Sequence, residues 1–209
     1  MSHEMSIIYP SEIAGVVLTS CWNYGDKATL ASASTATELK EASESLITPN
    51  ESAGLIGSTS DIANQKVFMW VGSDDTATPP VGMEAADLLY QEYGATTDYT
   101  EEAGYGHELA DNGEIIMDGL QWVYNELGWI TDGNWVAADS DYTNYGSYYQ
   151  FDQWEFFGVG SENDWCNDYY EQSELSDSGY VFVPTNCDSS NSCRVHFSLN
   201  HCGGPGSAQ

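Results

Sequence analysis

The stretch KVFMWVGSDD, residues 66–75, decides the fold that we predict for this chain. Its five consecutive apolar residues, 67–71, include β-branched and aromatic side chains, and Gly72 ends the run. A short run of this composition, stopped by a turn residue, is typical of a buried central strand. An acid pair, Asp74 and Asp75, lies directly beyond the expected end of that strand.

Strand and helix patterns alternate on both sides of this stretch. Residues 13–18 form a second short apolar run, residues 96–100 are a candidate third strand, and residues 48–61 have the polar composition of a surface loop. Apolar side chains recur at helical spacing over residues 1–8, 28–46, 83–93 and 115–127. This alternation over residues 1–128 predicts an α/β fold with a mostly parallel sheet and flanking helices.

The composition of the chain changes after Gly128. Residues 129–178 are rich in aromatic and polar side chains with little periodicity, which predicts a loop-rich insertion packed over the sheet. Strand patterns return at residues 179–184 and 193–199. We therefore expect one domain over residues 1–209, with the insertion between an α/β core and a final pair of strands.

The charge balance limits the partners of this protein. Four Lys and Arg residues against 33 Asp and Glu residues give a formal net charge of −29. Nucleic acids and anionic membranes are also negatively charged, so we expect neither as a partner. The sequence contains no Cys and His spacing of a zinc site, and we expect no metal and no other cofactor. It does not predict the oligomeric state.

The five cysteines indicate an oxidising compartment. Cys187 and Cys193 lie six residues apart across a polar turn between two strand patterns, a spacing that suits a hairpin disulfide. The count is odd, and the pairing of Cys21, Cys166 and Cys202 stays open. We expect a secreted, extracellular protein, although this chain contains no signal peptide pattern.

A glycine-flanked histidine follows the acid pair. His107 comes directly after Gly106 and 32 positions after Asp75. An acid at the carboxyl end of a parallel strand, followed by such a histidine, is the order of acid and base in α/β-hydrolase triads. In Ser-His-Asp chemistry, the histidine takes the serine proton and the acid stabilises the imidazolium. We predict His107 as the base and Asp75 as the acid, with Asp74 as its rival.

Several stretches of the chain resemble extracellular polyhydroxybutyrate (PHB) depolymerases of the α/β-hydrolase fold. Residues 9–17, YPSEIAGVV, are similar to the segment after the nucleophile elbow of that family. Residues 71–76, VGSDDT, are similar to the strand end that carries its triad acid, and residues 117–123, MDGLQWV, to the helix after its triad histidine. The resemblance therefore implies an α/β-hydrolase fold for this chain.

Late stretches resemble the segment that leads to the oxyanion loop of the same family. They are residues 151–156, 179–184 and 193–197, together with Cys187. In most family members the oxyanion strand precedes the nucleophile, whereas here it follows the acid and the histidine. The chain thus resembles the circularly permuted branch, in which the elbow lies near the N-terminus.

The resemblance implies roles for individual residues. Asp75, three positions after Gly72, matches the triad acid, and His107 matches the base. Cys202 matches the cysteine whose backbone N–H faces the oxyanion, although His201 replaces the glycine of the family pattern. Exposed aromatic side chains would contact an apolar polyester, and the candidates are Trp22, Tyr24, Tyr105 and Trp154.

The nucleophile is missing from the 209 residues, because no G-x-S-x-G motif occurs among them. The resemblance places the elbow directly upstream of Met1, so we expect a truncated chain that is inactive as it stands. The whole enzyme would cleave poly(3-hydroxybutyrate) or related 3-hydroxyalkanoate esters, with a polyester or a small ester as its substrate. The alternatives are a feruloyl or acetyl carbohydrate esterase and a non-catalytic remnant that binds polyester or polysaccharide.

Overall fold

The structure is a computed structural model, and it describes most of the first two thirds of the chain and parts of the rest. The described residues are 2–21, 24–25, 34–107, 113–129, 146–152 and 178–185, with Cys187, Ser190 and Cys193. They fall into two compact units, Met1–Trp135 and Val136–Gln209. The expectation of a single domain over residues 1–209 stays a prediction.

The first unit contains a parallel sheet of three strands in the order β1-β2-β3. The strands are β1 (Gly15–Thr19), β2 (Lys66–Gly72) and β3 (Thr96–Glu102). The helices are α1 (Ser2–Ile8), α2 (Ala36–Ser52), α3 (Pro80–Glu92) and α4 (Gly113–Glu126). Parallel neighbouring strands need a crossover connection. The helix α2 lies in the connection from β1 to β2, and α3 lies in the connection from β2 to β3. The predicted α/β fold with a parallel sheet and flanking helices is confirmed.

Both faces of β2 are covered, which explains its unbroken apolar run. Val67, Met69 and Val71 are fully buried in the main core, together with Ile7 of α1, Met83, Leu89 and Tyr90 of α3 and other side chains. Phe68 and Trp70 point to the opposite face and pack with Val123 of α4. A strand that is buried on both faces needs no alternation of polar and apolar residues. β2 therefore holds its carboxyl end rigidly in the middle of the sheet.

The helix α2 and the segment after it differ from the prediction. The helix ends at Ser52 rather than near residue 46, and a 3₁₀ helix, Thr59–Asn64, replaces part of the predicted loop. Long-range contacts stabilise both segments, because Ile47 is buried in the main core and Glu51 accepts hydrogen bonds from Thr59 N and Oγ1 at 2.8 and 3.0 Å. None of the helices in the described segments is long and apolar enough to cross a membrane.

The helix α1 is present as predicted, and its buried side chains include polar ones. The buried side chains are those of His3, Ser6 and Ile7, and Ile8 packs partly buried against the main core. Met5, which shares the apolar spacing of the helix, is 39% exposed. In so short a helix, tertiary packing rather than periodicity decides which face is buried.

The second unit contains an antiparallel pair, β4 (Gly146–Asp152) and β5 (Ser178–Pro184). The strand β5 was predicted, whereas β4 lies in the segment for which we expected loops. Its aromatic side chains favour extended structure, but its pairing partner lies far along the chain. The predicted disulfide between Cys187 and Cys193 is present, with its Cα atoms 5.7 Å apart. The strand predicted over residues 193–199 falls outside the described residues, apart from Cys193.

Candidate active site

Asp75 lies three residues after the end of β2 at Gly72, in a tight turn that buries its carboxylate. Asp75 is only 3% exposed. Its Oδ1 accepts hydrogen bonds from the backbone N–H groups of Ala77 and Thr78 at 2.9 and 2.8 Å. Its own N–H donates to the Gly72 carbonyl at 3.1 Å. The turn therefore fixes the orientation of the carboxylate before any other element contacts it.

The loop after β3 brings His107 to this carboxylate. His107 Nδ1 lies 2.9 Å from Asp75 Oδ2. The imidazole is about half exposed, at 49%, and no described residue forms a hydrogen bond with its Nε2. Asp74 is exposed, and it has no contact with His107 among those described. Of the two acids that the sequence left open, the structure therefore brings Asp75 to the histidine.

Asp75 stays ionised at neutral pH in this environment. Burial raises the pKa of the carboxyl, but hydrogen bonds from the N–H and hydroxyl of Thr78, with smaller contributions from His107 and Ser20, lower it to about 2. A carboxylate in contact with Nδ1 favours the tautomer that carries its proton there. With the proton on Nδ1, Nε2 is the proton acceptor of this half-exposed ring.

Backbone hydrogen bonds attach the histidine loop to the acid turn. Ser73 N–H donates to the Glu102 carbonyl at 2.8 Å, and Asp74 N–H donates to the Tyr105 carbonyl at 2.8 Å. A Cβ at Gly72 would lie 2.2 Å from the Tyr105 carbonyl oxygen, so only glycine permits this approach. Gly72 thus has two functions, because it ends β2 and makes room for the loop that carries His107.

An aromatic surface lies beside His107. Tyr105 is 43% exposed and packs edge-on against Trp70, with ring centroids 5.9 Å apart. Trp70 is buried, and its Nε1–H donates to Glu102 Oε2 at 2.8 Å. Tyr105, which we predicted as a substrate contact, is therefore accessible and held in place two residues before the histidine.

The other predicted site residues do not lie at this position in the described structure. Tyr24 is 8% exposed and belongs to the main core, a placement that favours packing over contact with a substrate. Trp22, Trp154 and Cys202 lie outside the described residues. Cys21 is free, partly buried, and its Sγ contacts Met83 Sδ at 3.8 Å. Burial raises the pKa of its thiol to about 12, which keeps it protonated.

Sequence analysis missed two residues near Asp75. Thr78 contacts both Asp75 and His107 through its hydroxyl. Ser20, directly after β1, has a φ of 47°, a conformation that non-glycine residues rarely adopt. Its buried hydroxyl contributes to the lowered pKa of Asp75, although it forms no hydrogen bond of ordinary length and angle with a described residue. A polar residue directly beyond a parallel strand is a weak signal that could have marked Ser20.

No protein-family model and no curated protein matches this sequence. The solved structures that are similar in fold include two PHB depolymerases. A PHB depolymerase from Penicillium funiculosum is 18% identical with a TM-score of 0.53, and the match covers 83% of this chain and 56% of that one. A PHB depolymerase complexed with an R3HB trimer is 18% identical with a TM-score of 0.52, covering 87% of this chain and 57% of that one.

This chain spans little more than half the length of either depolymerase structure. At 18% identity the likeness shows the fold alone, and that fold is the α/β-hydrolase type with a mostly parallel sheet. The fold class predicted from the sequence is therefore confirmed. The activity, the substrate and the permuted order of the segments stay predictions.

Proposed function

We propose that this chain supplies the acid and the base of a serine-type carboxylic ester hydrolase. The observation that carries the proposal is the contact between Asp75 Oδ2 and His107 Nδ1 at 2.9 Å, on a half-exposed imidazole whose Nε2 has no hydrogen bond to a described residue. A buried carboxylate behind a half-exposed imidazole is the arrangement that general-base catalysis by histidine requires. Asp75 and His107 also come from the turn after one parallel strand and the loop after its neighbour, the edge at which α/β sheets carry their sites.

The proposed mechanism follows from the two ring nitrogens. Nε2 of His107 takes the proton of a serine hydroxyl as its oxygen attacks the ester carbonyl, and Asp75 stabilises the imidazolium that forms. The imidazolium then protonates the departing alcohol, and the neutral ring activates water for hydrolysis of the acyl-enzyme. The 209 residues contain no G-x-S-x-G motif, so the proposal requires a serine that this sequence does not include. In the same proposal, the backbone N–H of Cys202 contributes to the oxyanion site.

We propose a 3-hydroxyalkanoate polyester, or a small ester of the same chemistry, as the substrate. The two similar structures are PHB depolymerases, and one of them is complexed with an R3HB trimer. The exposed ring of Tyr105 beside His107 offers an apolar surface for such a chain. Trp22 and Trp154 are proposed as further contacts, and secretion of the enzyme fits a polymeric substrate that cannot enter a cell.

The first experiment extends the chain. The coding DNA upstream of Met1 should encode an in-frame G-x-S-x-G motif, and the extended protein should hydrolyse 3-hydroxybutyrate esters. Asp75→Asn should then lower kcat about 10⁴-fold, because the neutral amide no longer stabilises the imidazolium. The exposed neighbour Asp74→Asn is the matched control and should retain full activity.

Two outcomes would contradict this proposal. A stop codon directly upstream with no such motif excludes the serine mechanism. Equal activity of the Asp75→Asn and Asp74→Asn variants excludes Asp75 as the acid. Release of ferulate or acetate without clearing of polyester granules would instead support the carbohydrate esterase, and granule binding without any hydrolysis would support the non-catalytic remnant.

A further inference from the structure

We propose that the Thr78 hydroxyl is a positioning group for His107. In this proposal the N–H at Nδ1 of His107 donates to two acceptors, Asp75 Oδ2 and Thr78 Oγ1. This inference rests on the proposed function, because the orientation of the ring matters only if His107 acts as a base. The acid and the histidine were predicted from the sequence, whereas Thr78 was not. Its role follows from two contacts of its hydroxyl, one with the acid and one with the base.

The three atoms form a closed set of hydrogen bonds. Thr78 Oγ1 lies 2.7 Å from Asp75 Oδ2, and since an ionised carboxylate has no proton, the hydroxyl must donate this bond. Its only proton is thereby used, so the oxygen can act only as an acceptor toward His107 Nδ1 at 3.2 Å. The N–H at Nδ1 is therefore shared between Asp75 Oδ2 at 2.9 Å and Thr78 Oγ1 at 3.2 Å.

A second acceptor restricts the imidazole more than the carboxylate does alone. His107 lies in a loop and is half exposed, so packing holds its ring only in part. A single hydrogen bond at Nδ1 permits the ring to tilt about the bond axis, whereas two acceptors on different residues oppose that tilt. The shared proton thus directs Nε2 toward one region of space, where a nucleophile would have to lie.

Thr78 is itself held rigidly. Its N–H donates to Asp75 Oδ1 at 2.8 Å, so backbone and side chain contact different oxygens of one carboxylate. The next residues are Pro79 and Pro80, and α3 begins at Pro80, which restricts the backbone around the threonine. A β-branched side chain also has few χ1 rotamers. The hydroxyl is therefore a fixed acceptor for the histidine.

The test compares Thr78→Val with Thr78→Ser, using Thr76→Val as the matched control. Valine keeps the shape of threonine but has no hydroxyl, serine keeps the hydroxyl, and Thr76 is an exposed threonine of the same loop. NMR titration of the carboxyl carbons should show that Thr78→Val raises the pKa of Asp75 from about 2 to about 3, since a hydrogen bond to a charged group is lost. Serine and Thr76→Val should leave it near its original value.

The imidazole supplies a second measurement that requires no substrate. In the unsubstituted protein, the Nδ1 proton of His107 should show a nuclear Overhauser effect to the hydroxyl or methyl protons of Thr78. Thr78→Val should move the resonance of that Nδ1 proton, and Thr78→Ser should restore its position. If Thr78→Val does not fold, a missing Overhauser effect in the unsubstituted protein would by itself overturn the proposal.

The proposed role of Thr78 would also be overturned if Thr78→Val and Thr76→Val had the same Asp75 pKa and the same Nδ1 proton resonance. These measurements do not depend on turnover. A chain that shows the shared proton but no esterase activity, even when extended, would contradict the proposed function and leave this inference standing. Conversely, an active enzyme in which Thr78→Val leaves the Nδ1 proton resonance unchanged would contradict only the inference about Thr78.

Discussion

Two histidines of the α/β unit, His3 and His107, have opposite environments. His3 in α1 is 2% exposed, and neither of its ring nitrogens has a hydrogen-bond partner among the described residues. Its ring packs edge-on against Tyr90, with centroids 5.2 Å apart. His107 is half exposed and contacts both Asp75 and Thr78 through Nδ1. One ring therefore lies in the core without a polar partner, and the other is both anchored and accessible.

The difference shows that partners and access, rather than residue type, give a histidine its chemistry. Burial lowers the pKa of His3 to about 4; the nearby Glu4 opposes this shift and the N-terminal amine adds to it. A neutral ring without partners can serve as an apolar filler but cannot exchange protons with a substrate. His107 combines a buried anion at Nδ1 with a half-exposed ring whose Nε2 has no hydrogen bond to a described residue, and this combination suits a general base.

The largest expected effect is on activity. In the extended enzyme, His107→Ala should lower kcat by about 10⁴-fold or more, because the serine loses its proton acceptor. His3→Phe, which replaces the buried ring with one of similar size, should retain activity. Circular dichroism would verify that both variants keep the fold. Near-full activity of His107→Ala, or equal losses in the two variants, would show that the proposed division of roles is wrong.

A smaller effect is expected where the histidine loop meets β2. The Cβ of Gly72→Ala would meet backbone atoms of Tyr105 at 2.2 and 2.5 Å, so either the strand end or the loop must move. We expect a loss of roughly 1–3 kcal/mol in the free energy of unfolding, as for other overpacked sites, and loss of the contact between His107 and Asp75. Urea unfolding measures the first, and the Asp75 carboxyl titration measures the second.

Gly106→Ala is the control for this substitution. It changes a glycine of the same loop whose added Cβ would meet no atom within 4 Å, and its φ lies outside the left-handed region. We expect its stability and its carboxyl titration to match those of the unsubstituted protein. Equal losses from the two alanines would mean that the loop tolerates no side chain for reasons other than its close approach to Gly72.

The strand that carries the site was predictable because a strand buried on both faces is apolar at consecutive positions. The strand β2 is apolar at five consecutive positions since both of its faces are covered. The meeting of Asp75 and His107 was predictable from chain order, because adjacent parallel strands bring their carboxyl ends to one edge. Local pattern and topology therefore sufficed to place the acid and the base together.

The missed features depend on contacts that leave no pattern. Thr76 and Thr78 are equivalent as letters in DTATPP, and only the turn around Asp75 separates the exposed one from the one that contacts the acid. The end of α2 depends on the bonds between Glu51 and Thr59, which join segments on either side of a turn. The identity of the buried face of α1 depends on the core beneath it. Such features follow from tertiary packing, which a single sequence does not record.

The last expected effect is similar in size to that of Gly72→Ala. It concerns the pH dependence of stability, and it isolates His3. The pKa of His3 is about 4 in the folded chain, against 6.5 for an ordinary histidine, so protons bind the unfolded chain more tightly. The contribution of His3 to stability is therefore fully present above about pH 6.5 and is lost as the pH falls toward 4, by roughly 2–3 kcal/mol. Asp75 does not interfere, because its lowered pKa of about 2 affects stability only below about pH 4.

His3→Phe should remove this loss, because phenylalanine has no proton to gain. The measurement is the free energy of unfolding in urea at pH 7 and pH 4.5 for the unsubstituted chain and the variant. The loss of stability between pH 7 and pH 4.5 should be smaller in His3→Phe than in the unsubstituted chain by roughly 2–3 kcal/mol. An identical pH dependence of stability in His3→Phe and the unsubstituted chain would mean that the folded chain accepts a proton on His3 as readily as the unfolded chain does. The two histidines would then differ only in their exposure to solvent.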